Sequence, residues 1–506
     1  MTGTRILIIS CVLLALLAFS GICLADATGW PASQEKGSPF ESQGVHSYIA
    51  SAGNGTRAGT GIIANAMASS PAISVSTMKK ASKNTVLSQY IVSRPAFVKN
   101  APVSPSTRFN TRPAKNRNST NMNTPVGDVV DANTRFGFDL FSRLADGKEA
   151  SGENVFFSPL SISTAFALSY EGARGSTAGQ IQSVLHFPVD NNTRRSEYSA
   201  LIAGLNSASS GYTISLANAL WAEKTYPFLP EYTRVADEYY SAKVANLDFI
   251  RQPDASRATI NRWVEEHTNN KIKNLLPAGS ISGNTRLVIT NAIYFKGKWE
   301  TPFSKDATYD ETFQVSPQKS VQVPMMHADT SYNYTETGDV QMLELPYYHK
   351  SGKQLSMLVV LPKETSSLAK AEQSLSGNGL RDLEQSLSSQ EVRVTFPKFR
   401  METEYLLNGD LQSMGMMDAF DDNADFSGMD GTRNLVITKV IHKAFIEVNE
   451  EGTEAAAATA IVNELRAIMP SEIPVFKADH PFMFFIIDRD TGDVLFMGRV
   501  SNPATS

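Results

Sequence analysis

The chain has 506 residues, 42% of them hydrophobic, so it is long enough to bury a sizeable core. Its net charge of −5 is unevenly distributed: residues 26–130 carry 11 basic and 4 acidic residues, whereas residues 131–506 carry 34 basic and 47 acidic residues. The acidic second part argues against nucleic-acid binding. Both cysteines, Cys11 and Cys23, lie near the N-terminus, so the remaining sequence offers no disulfide and no thiol nucleophile.

The N-terminus has the pattern of an export signal. Arg5 is followed by the apolar run ILIISCVLLALLAFSGICLA, which ends in small residues near Ala25. We therefore predict that residues 1–25 are a cleaved signal peptide and that the protein is extracellular or part of the cell envelope. The run is also long enough to be an uncleaved membrane anchor, which is the alternative.

Residues 26–130 are dominated by Ser, Thr, Asn, Ala, Gly and Pro and show no helical or strand period. This composition predicts a disordered, exposed spacer before a globular domain at 131–506. Its basic excess could hold it against an anionic envelope surface, although the scattered charges favour a solvated linker. Four glycosylation sequons occur, at Asn54, Asn118, Asn191 and Asn333, and their use depends on the host.

The globular domain begins with helical patterns and continues with strand patterns. Helices are predicted over Thr134–Ala145, Ser158–Ala173 and Ala258–Pro277 from the spacing of apolar residues and the Ser-Pro start signal. Strands are predicted over Tyr212–Glu223 and Thr285–Glu300, with several more in the last third of the sequence. No repeating βαβ unit is present, so we predict an α+β fold with largely antiparallel sheets.

Enzyme motifs are missing from the sequence. It contains no G-x-S-x-G, H-E-x-x-H, P-loop or G-x-G-x-x-G pattern, and its seven histidines are not paired at metal-ligand spacing. Adjacent carboxylates such as Glu265 and Glu266 are more simply explained as solvated charges. We therefore predict a protein that is not an enzyme and that needs neither a metal nor a cofactor.

One segment is hard to explain as ordinary structure. Residues 454–465 are rich in helix formers, with four consecutive alanines, yet they lie between two strand-like runs, Leu435–Val448 and Pro474–Asp488. The segment has few side chains able to pack against a core. It is therefore unlike either of its neighbours.

Four segments resemble the signature sequences of the serpin family. They are NVFFSPLSIS (Asn154–Ser163), TNAIYFKGKWE (Thr290–Glu300), HKAFIEVNEEGTEAAAATA (His442–Ala460) and FKADHPFMFFI (Phe476–Ile486), and the resemblance covers residues 131–503. It implies a monomer with three mostly antiparallel sheets, about eight or nine helices and an exposed reactive-centre loop. It also implies an inhibitor of serine proteases.

The resemblance explains the alanine-rich segment as the hinge of that loop. After cleavage by a protease, the hinge would insert as a new strand into the main sheet, which requires small side chains because bulky ones would overpack the site. Gly452 would supply backbone freedom at the insertion point. The hinge residues implied are Glu450, Gly452, Thr453, Ala455, Ala456, Ala457 and Ala458.

The resemblance places the reactive bond between Arg466 and Ala467, about fourteen positions beyond Gly452. Arginine would enter the acidic specificity pocket of a trypsin-like serine protease, which would be trapped as a covalent acyl-enzyme. A one-residue difference in the count would select Leu465 and a chymotrypsin-like protease instead.

Further positions match single residues of the family pattern. Ser158, Ser161, Asn291 and His442 match a polar cluster under the main sheet, and Trp299 matches an aromatic residue at the top of that sheet. Two rival functions stay open at this point. One is a non-inhibitory serpin that serves as a binding or storage protein, and the other is a structural envelope protein in which the spacer carries the function.

Overall fold

The computed structural model describes residues 127–146, 152–206, 209, 211–363, 368–453 and 473–505. All the described residues belong to one compact unit, which lies within Pro113–Ser506. The predicted signal peptide and nearly all of the predicted spacer therefore lie outside the described residues. Within the described part of the chain, no helix is both long and apolar enough to cross a membrane.

Ten α-helices are present among the described residues. The longest, α1, begins at Gly127 rather than at the predicted Thr134, and its first turns bury Val129 and Val130. The number of helices is close to the eight or nine that the family resemblance implied. The helices are α1 (Gly127–Ala145), α2 (Pro159–Gly172), α3 (Gly175–Leu185), α4 (Asn191–Leu205), α5 (Pro230–Tyr240), α6 (Pro253–His267), α7 (Leu368–Leu375), α8 (Gly379–Gln385), α9 (Asn408–Ser413) and α10 (Ser427–Asp430).

The helix predicted over Ala258–Pro277 is wrong at both ends. It begins at Pro253, where proline suits the first turn, and it ends at His267. Beyond it, Asn269, Asn270 and Asn274 take positive φ angles of 52°, 59° and 51°, which asparagine adopts more readily than most residues. The apolar pattern continues past His267 because this irregular segment is also packed on the core.

Fifteen strands form the sheets of the described residues. They are β1 (Val155–Phe157), β2 (Tyr212–Glu223), β3 (Lys243–Leu247), β4 (Leu287–Lys298), β5 (Thr308–Ser316), β6 (Lys319–Glu336), β7 (Val340–Pro346), β8 (Leu355–Pro362), β9 (Ser388–Pro397), β10 (Phe399–Leu406), β11 (Ile437–Asn449), β12 (Gly452–Thr453), β13 (Val475–Lys477), β14 (Phe482–Asp488) and β15 (Asp493–Val500).

Six of these strands form the main sheet, in the order β10-β11-β12-β4-β2-β3. Strands β11 and β4 pair in parallel from Ile437 and Leu287 up to Phe445 and Tyr294. Strand β12 pairs antiparallel with both of them. The main sheet therefore already contains the first two residues of a strand between β11 and β4.

The other nine strands form one hydrogen-bonded network, here called the second sheet, in the order β1-β15-β14-β8-β7-β6-β9-β13, with β5 also paired to β6. Strand β6 has 18 residues. It pairs with β5 through its first half, with β9 through its second half and with β7 at its end. Two of the three expected sheets are thus joined through this long strand, while the predicted α+β class with mainly antiparallel pairing is confirmed.

Apolar side chains cover both faces of the main sheet. One face, here called the rear face, carries Ile293 and Phe295 of β4 and packs on the large core that includes α2 and β15. The opposite, front face carries Val288 and Tyr294 and packs with Val264 of α6 in a smaller cluster. Strand β4 is buried on both faces, so a strand that enters beside it must fit between two packed layers.

Candidate functional site: the strand-entry region and the polar row

The strand-entry region lies where β11 and β4 stop pairing with each other. Thr453 is opposite Val448 of β11 and Gly297 of β4, and Gly452 is opposite Asn449 and Lys298. Both hinge residues are buried, and Thr453 is fully so. Gly452 and Thr453 thus occupy the gap into which the rest of the predicted hinge is expected to move.

Gly452 is required at this position for two reasons. Its φ angle is 142°, a conformation that residues with a side chain rarely adopt. A Cβ atom placed there would come within 2.1 Å of the carbonyl oxygen of Gly297 and 2.7 Å of the Cα of Lys298. Any substitution would push β12 away from β4, because the opposing atoms belong to the backbone.

Two ion pairs hold the residues that precede Gly452. Lys398 lies 3.0 Å from the carboxylate of Glu450, and the Nζ of Lys305 donates to Glu451 over 2.5 Å. Burial raises the pKa of Glu450, but its hydrogen bonds with a backbone N–H and with Lys398 outweigh this and leave that pKa below its usual value. The hydrogen bond to Glu451 raises the pKa of Lys305. Glu450 therefore stays ionised and paired with Lys398 at neutral pH.

Trp299, the predicted aromatic residue at the top of the sheet, is buried beside the hinge. Its indole N–H donates to the carbonyl oxygen of Asn449 over 3.0 Å, and its ring stacks on Tyr347 with the centroids 4.7 Å apart. The hydroxyl of Tyr347 is 2.9 Å from Oγ1 of Thr453. Tyr347 was not predicted, because it follows the end of β7 and approaches the hinge only through the fold.

The predicted polar cluster lies on the rear face, and two of its residues, Asn291 and His442, belong to a longer row. The strand register sets Tyr405 of β10 opposite His442 of β11, His442 opposite Asn291 of β4, and Asn291 opposite Asn218 of β2. We call these four residues the polar row. It crosses four strands at one level of the main sheet, including the parallel pair β11 and β4.

His442 is fully buried and makes two hydrogen bonds. Its Nε2 accepts from the backbone N–H of Ser158 over 3.2 Å, so its Nδ1 carries the proton and donates to the side-chain oxygen of Asn291. Burial lowers the pKa of His442 to about 3. The imidazole is therefore neutral at physiological pH and serves as a link between β11 and β4.

The start of α2 closes the cluster from the rear. Ser158 caps the helix by accepting from the N–H of Ser161 over 3.1 Å, and its own hydroxyl donates to the carbonyl oxygen of Leu495 over 2.6 Å. The amide of Asn291 donates to Oγ of Ser161 over 2.6 Å and also to Asn218. All four residues predicted for the cluster are brought together.

Asn218 and Tyr405 belong to the row but were not predicted. Asn218 is the one amide in the strand-like run SLANALWAE, at a position that the alternation of side chains assigns to the buried rear face. A buried amide needs a partner, and this signal could have identified it. Tyr405 shows no comparable signal, since its row partners are fixed by register alone.

The remaining predicted site residues lie outside the described residues. These are the hinge alanines Ala455, Ala456, Ala457 and Ala458 and the reactive bond Arg466–Ala467, together with the alternative Leu465. The structure therefore describes the hinge only up to Thr453.

The fold and the strand-entry region define a class of proteins in which a short strand begins between two parallel strands of the main sheet. The family description Serpin (serine protease inhibitor) matches residues 131–503. The chain belongs to the serpin family, as its signature segments predicted.

Individual relatives agree with this assignment. Bovine leukocyte elastase inhibitor is 44% identical over 380 residues, covering 74% of this chain and 98% of the relative. Uncleaved ovalbumin has a TM-score of 0.67 at 32% identity, covering 74% of this chain and all of ovalbumin. Human thyroxine-binding globulin in complex with its hormone has a TM-score of 0.68 at 30% identity, covering 75% of this chain and all of that protein. The family thus includes members whose names describe inhibition and members whose names describe other roles.

Proposed function

We propose that this serpin is an inhibitor that traps one trypsin-like serine protease per molecule as a covalent acyl-enzyme. The observation that supports it most directly is the position of β12. Gly452 and Thr453 are already hydrogen-bonded between β11 and β4 in the uncleaved chain. Extension of this two-residue strand is the movement that trapping requires.

The proposed reaction starts at the bond between Arg466 and Ala467. The serine oxygen of the protease attacks the carbonyl carbon of Arg466, and the bond to the nitrogen of Ala467 breaks. That nitrogen leaves as an amine with a proton supplied by the protease. Arg466 stays joined to the serine as an ester, and the new chain end frees the hinge.

Insertion then competes with hydrolysis of the ester. The hinge extends β12 downward, so the parallel pairing between β11 and β4 and the hydrogen bond from His442 to Asn291 must break. The protease is carried with the inserted strand, and distortion of its oxyanion hole stops deacylation. The alanines from 455 to 458 suit this step because each adds little volume between packed layers.

The choice of a trypsin-like target depends on Arg466. An arginine side chain pairs with a carboxylate at the base of the trypsin specificity pocket, whereas Leu465 would suit a hydrophobic pocket. Incubating the protein with trypsin and with chymotrypsin, followed by denaturing electrophoresis and mass spectrometry of the cut, separates the two. A trypsin complex that withstands denaturation, with cleavage after Arg466, is the expected result.

The control for trapping is Thr453→Arg. Thr453 is fully buried, so arginine there would block entry of the strand while leaving the loop available for cleavage. We expect this variant to be cut as a substrate without retaining the protease. If the unaltered protein is also only cut, a non-inhibitory binding or storage function becomes the better proposal.

We also propose that the protein acts outside the cell or in the cell envelope, as a monomer. The apolar run after Arg5 and the small residues near Ala25 support export. N-terminal sequencing of the protein from its native source, combined with fractionation, tests this. A chain that begins at Asp26 supports cleavage, whereas an intact N-terminus in the membrane fraction supports the anchor.

A further inference from the structure

The side chain of Tyr347 is tightly packed at the point where the hinge enters the main sheet. Its ring lies against Trp299 on one side and meets Phe295 edge-on, with centroids 4.9 Å apart. Gly297 packs closely against the tyrosine ring, since a Cβ at this glycine would come within 2.6 Å of the ring. The ring therefore has one place to occupy, and its hydroxyl has one direction in which to point.

The backbone around Tyr347 is equally fixed. Its N–H donates to the carbonyl oxygen of Leu355 over 2.9 Å, which ties it to β8 of the second sheet. The neighbouring Tyr348 donates its N–H to the carbonyl oxygen of Lys298 over 2.7 Å, at the end of β4 in the main sheet. Tyr347 is thus held by both sheets and does not depend on the hinge for its position.

The hydroxyl of Tyr347 meets a single partner among the described residues, Oγ1 of Thr453 at 2.9 Å, and both side chains are fully buried. Burial raises the pKa of the phenol, so it keeps its proton. A buried hydroxyl without a partner costs free energy. A residue with a hydroxyl group, such as Thr453, is therefore favoured beside Tyr347 over the residues that precede and follow it in the sequence.

The structure assigns to Tyr347 the role of setting the register in which the hinge strand enters the main sheet. A strand that slips by one residue turns every side chain to the opposite face. Such a slip would bring either Gly452, which has no hydroxyl, or the charged Glu454 to the buried hydroxyl of Tyr347. The correct register brings Thr453 there and turns the remaining hinge positions of the same parity, beginning with Ala455, to the rear face.

Tyr347 acts through Thr453 and does not touch the protease, so it is a positioning residue. Its consequence for trapping rests on the proposed function, because only an inserting hinge needs a register. Its contact with Thr453 in the uncleaved protein does not depend on that proposal. The contact between Tyr347 and Thr453 and its consequence for trapping can therefore be tested separately.

The first test measures amide hydrogen exchange of residues 449–453 in the uncleaved full chain. The variants are Tyr347→Phe, Thr453→Val and the double variant, with Thr453→Ser as the conservative rescue. Tyr348→Phe is the matched control, since Tyr348 is the adjacent tyrosine and is 42% exposed. Removal of either hydroxyl of the pair should speed amide exchange of residues 449–453 about three- to tenfold.

The double variant decides whether the two hydroxyls act together. We expect it to exchange no faster than the more affected single variant, with Thr453→Ser and Tyr348→Phe close to the unaltered protein. The assignment would be overturned if the effects of the two single substitutions on the exchange rate multiplied in the double variant. It would also be overturned if Tyr347→Phe exchanged at the rate of the unaltered protein. Thermal unfolding of each variant identifies any that fail to fold, and the Thr453→Val and Thr453→Ser pair then carries the comparison.

The second test counts the serpin molecules consumed for each trypsin molecule inhibited. Tyr347→Phe should raise this number several-fold because more chains are cleaved before a correctly registered strand forms, and Tyr348→Phe should not. An unchanged number with altered exchange would limit Tyr347 to the uncleaved state and overturn its role in insertion. If the unaltered protein traps no protease, the proposed function fails, while the exchange result still decides the contact.

Discussion

His442 of β11 and Asn291 of β4 lie opposite each other in register, and the imidazole N–H of the first donates to the amide oxygen of the second. This hydrogen bond is a side-chain link across the pair of strands that the proposed loop insertion would separate. It is buried and linked to Asn218 and Ser161 through Asn291. A hydrogen-bonded connection of this kind can be broken and made again with a new partner, which an apolar contact of fixed shape does less selectively.

Replacing Asn291 by alanine should weaken the uncleaved state. The substitution leaves the buried N–H of His442 without its acceptor and removes two donor contacts, at a cost of about 1–3 kcal/mol. Urea unfolding of the uncleaved protein measures this. Asn284→Ala is the control, since Asn284 lies in an exposed turn before β4 and should change stability little. Equal effects of the two substitutions would show that the link contributes nothing measurable.

Asp493 should make the protein less stable as the pH rises. This carboxyl is fully buried at the start of β15 and accepts a hydrogen bond of 2.7 Å from Asn133. Burial raises its pKa to about 7, so the folded state holds the proton up to that pH, while the unfolded chain releases it near 4. The contribution of this group to stability is thus full below pH 4 and is lost as the pH rises to 7.

Asp493→Asn removes this titration. The variant should be more stable than the unaltered protein at pH 8 by about 2–4 kcal/mol, with a smaller difference at pH 4. Chemical unfolding at both pH values provides the measurement, and Asp421→Asn on the exposed surface serves as the control. A difference that is the same at both pH values would mean that Asp493 is ionised throughout.

Gly452→Ala should displace the hinge strand. The new Cβ would meet the backbone of Gly297 and Lys298, which cannot move aside without disturbing β4. Hydrogen exchange at Thr453 should rise, and trapping should fall in favour of simple cleavage. Gly179→Ala, in helix α3 with nothing within 4 Å of the added atom, should leave both unchanged. A Gly452→Ala variant that traps normally would show that the entry strand is dispensable.

Thr459 should matter only after insertion. Extending the register of β12, in which Thr453 faces Gly297 and Val448, would place residue 459 opposite both Asn291 and His442. Its hydroxyl would then supply the partner that each loses when the strands part. Thr459→Val should lower the melting temperature of the loop-cleaved protein by a few degrees and leave the uncleaved protein unchanged. Thr459→Ser should behave like threonine, whereas equal melting of all three cleaved forms would exclude this register.

The local elements were largely predictable because their signals are local. The strand predicted over Tyr212–Glu223 has those bounds in the structure, and Ser158 caps α2 as the Ser-Pro signal indicated. The cluster of Ser158, Ser161, Asn291 and His442 was predicted from the family resemblance. No periodicity of these residues would have brought them together, since they lie on three elements far apart in sequence.

Register and irregular backbone were the parts that could not be predicted. Tyr347 reaches Thr453 because the chain after β7 crosses from the second sheet to the end of β4, and nothing in the residues LPYYHK encodes that approach. The early end of α6 at His267 also escaped prediction, because the apolar spacing continues through a segment that is packed but not helical.

The parallel pairing of β11 with β4 is an interface at which the main sheet can open more readily than between antiparallel strands. Parallel strands are slightly less stable per residue than antiparallel ones. A strand that continues β12 would run antiparallel to both neighbours, so opening the sheet exchanges one parallel interface for two antiparallel interfaces. The chain direction at this interface therefore favours the expanded sheet before any side chain is considered. We expect the covalent links of residues 454–472 to β12 and β13 to prevent insertion until the chain is cleaved.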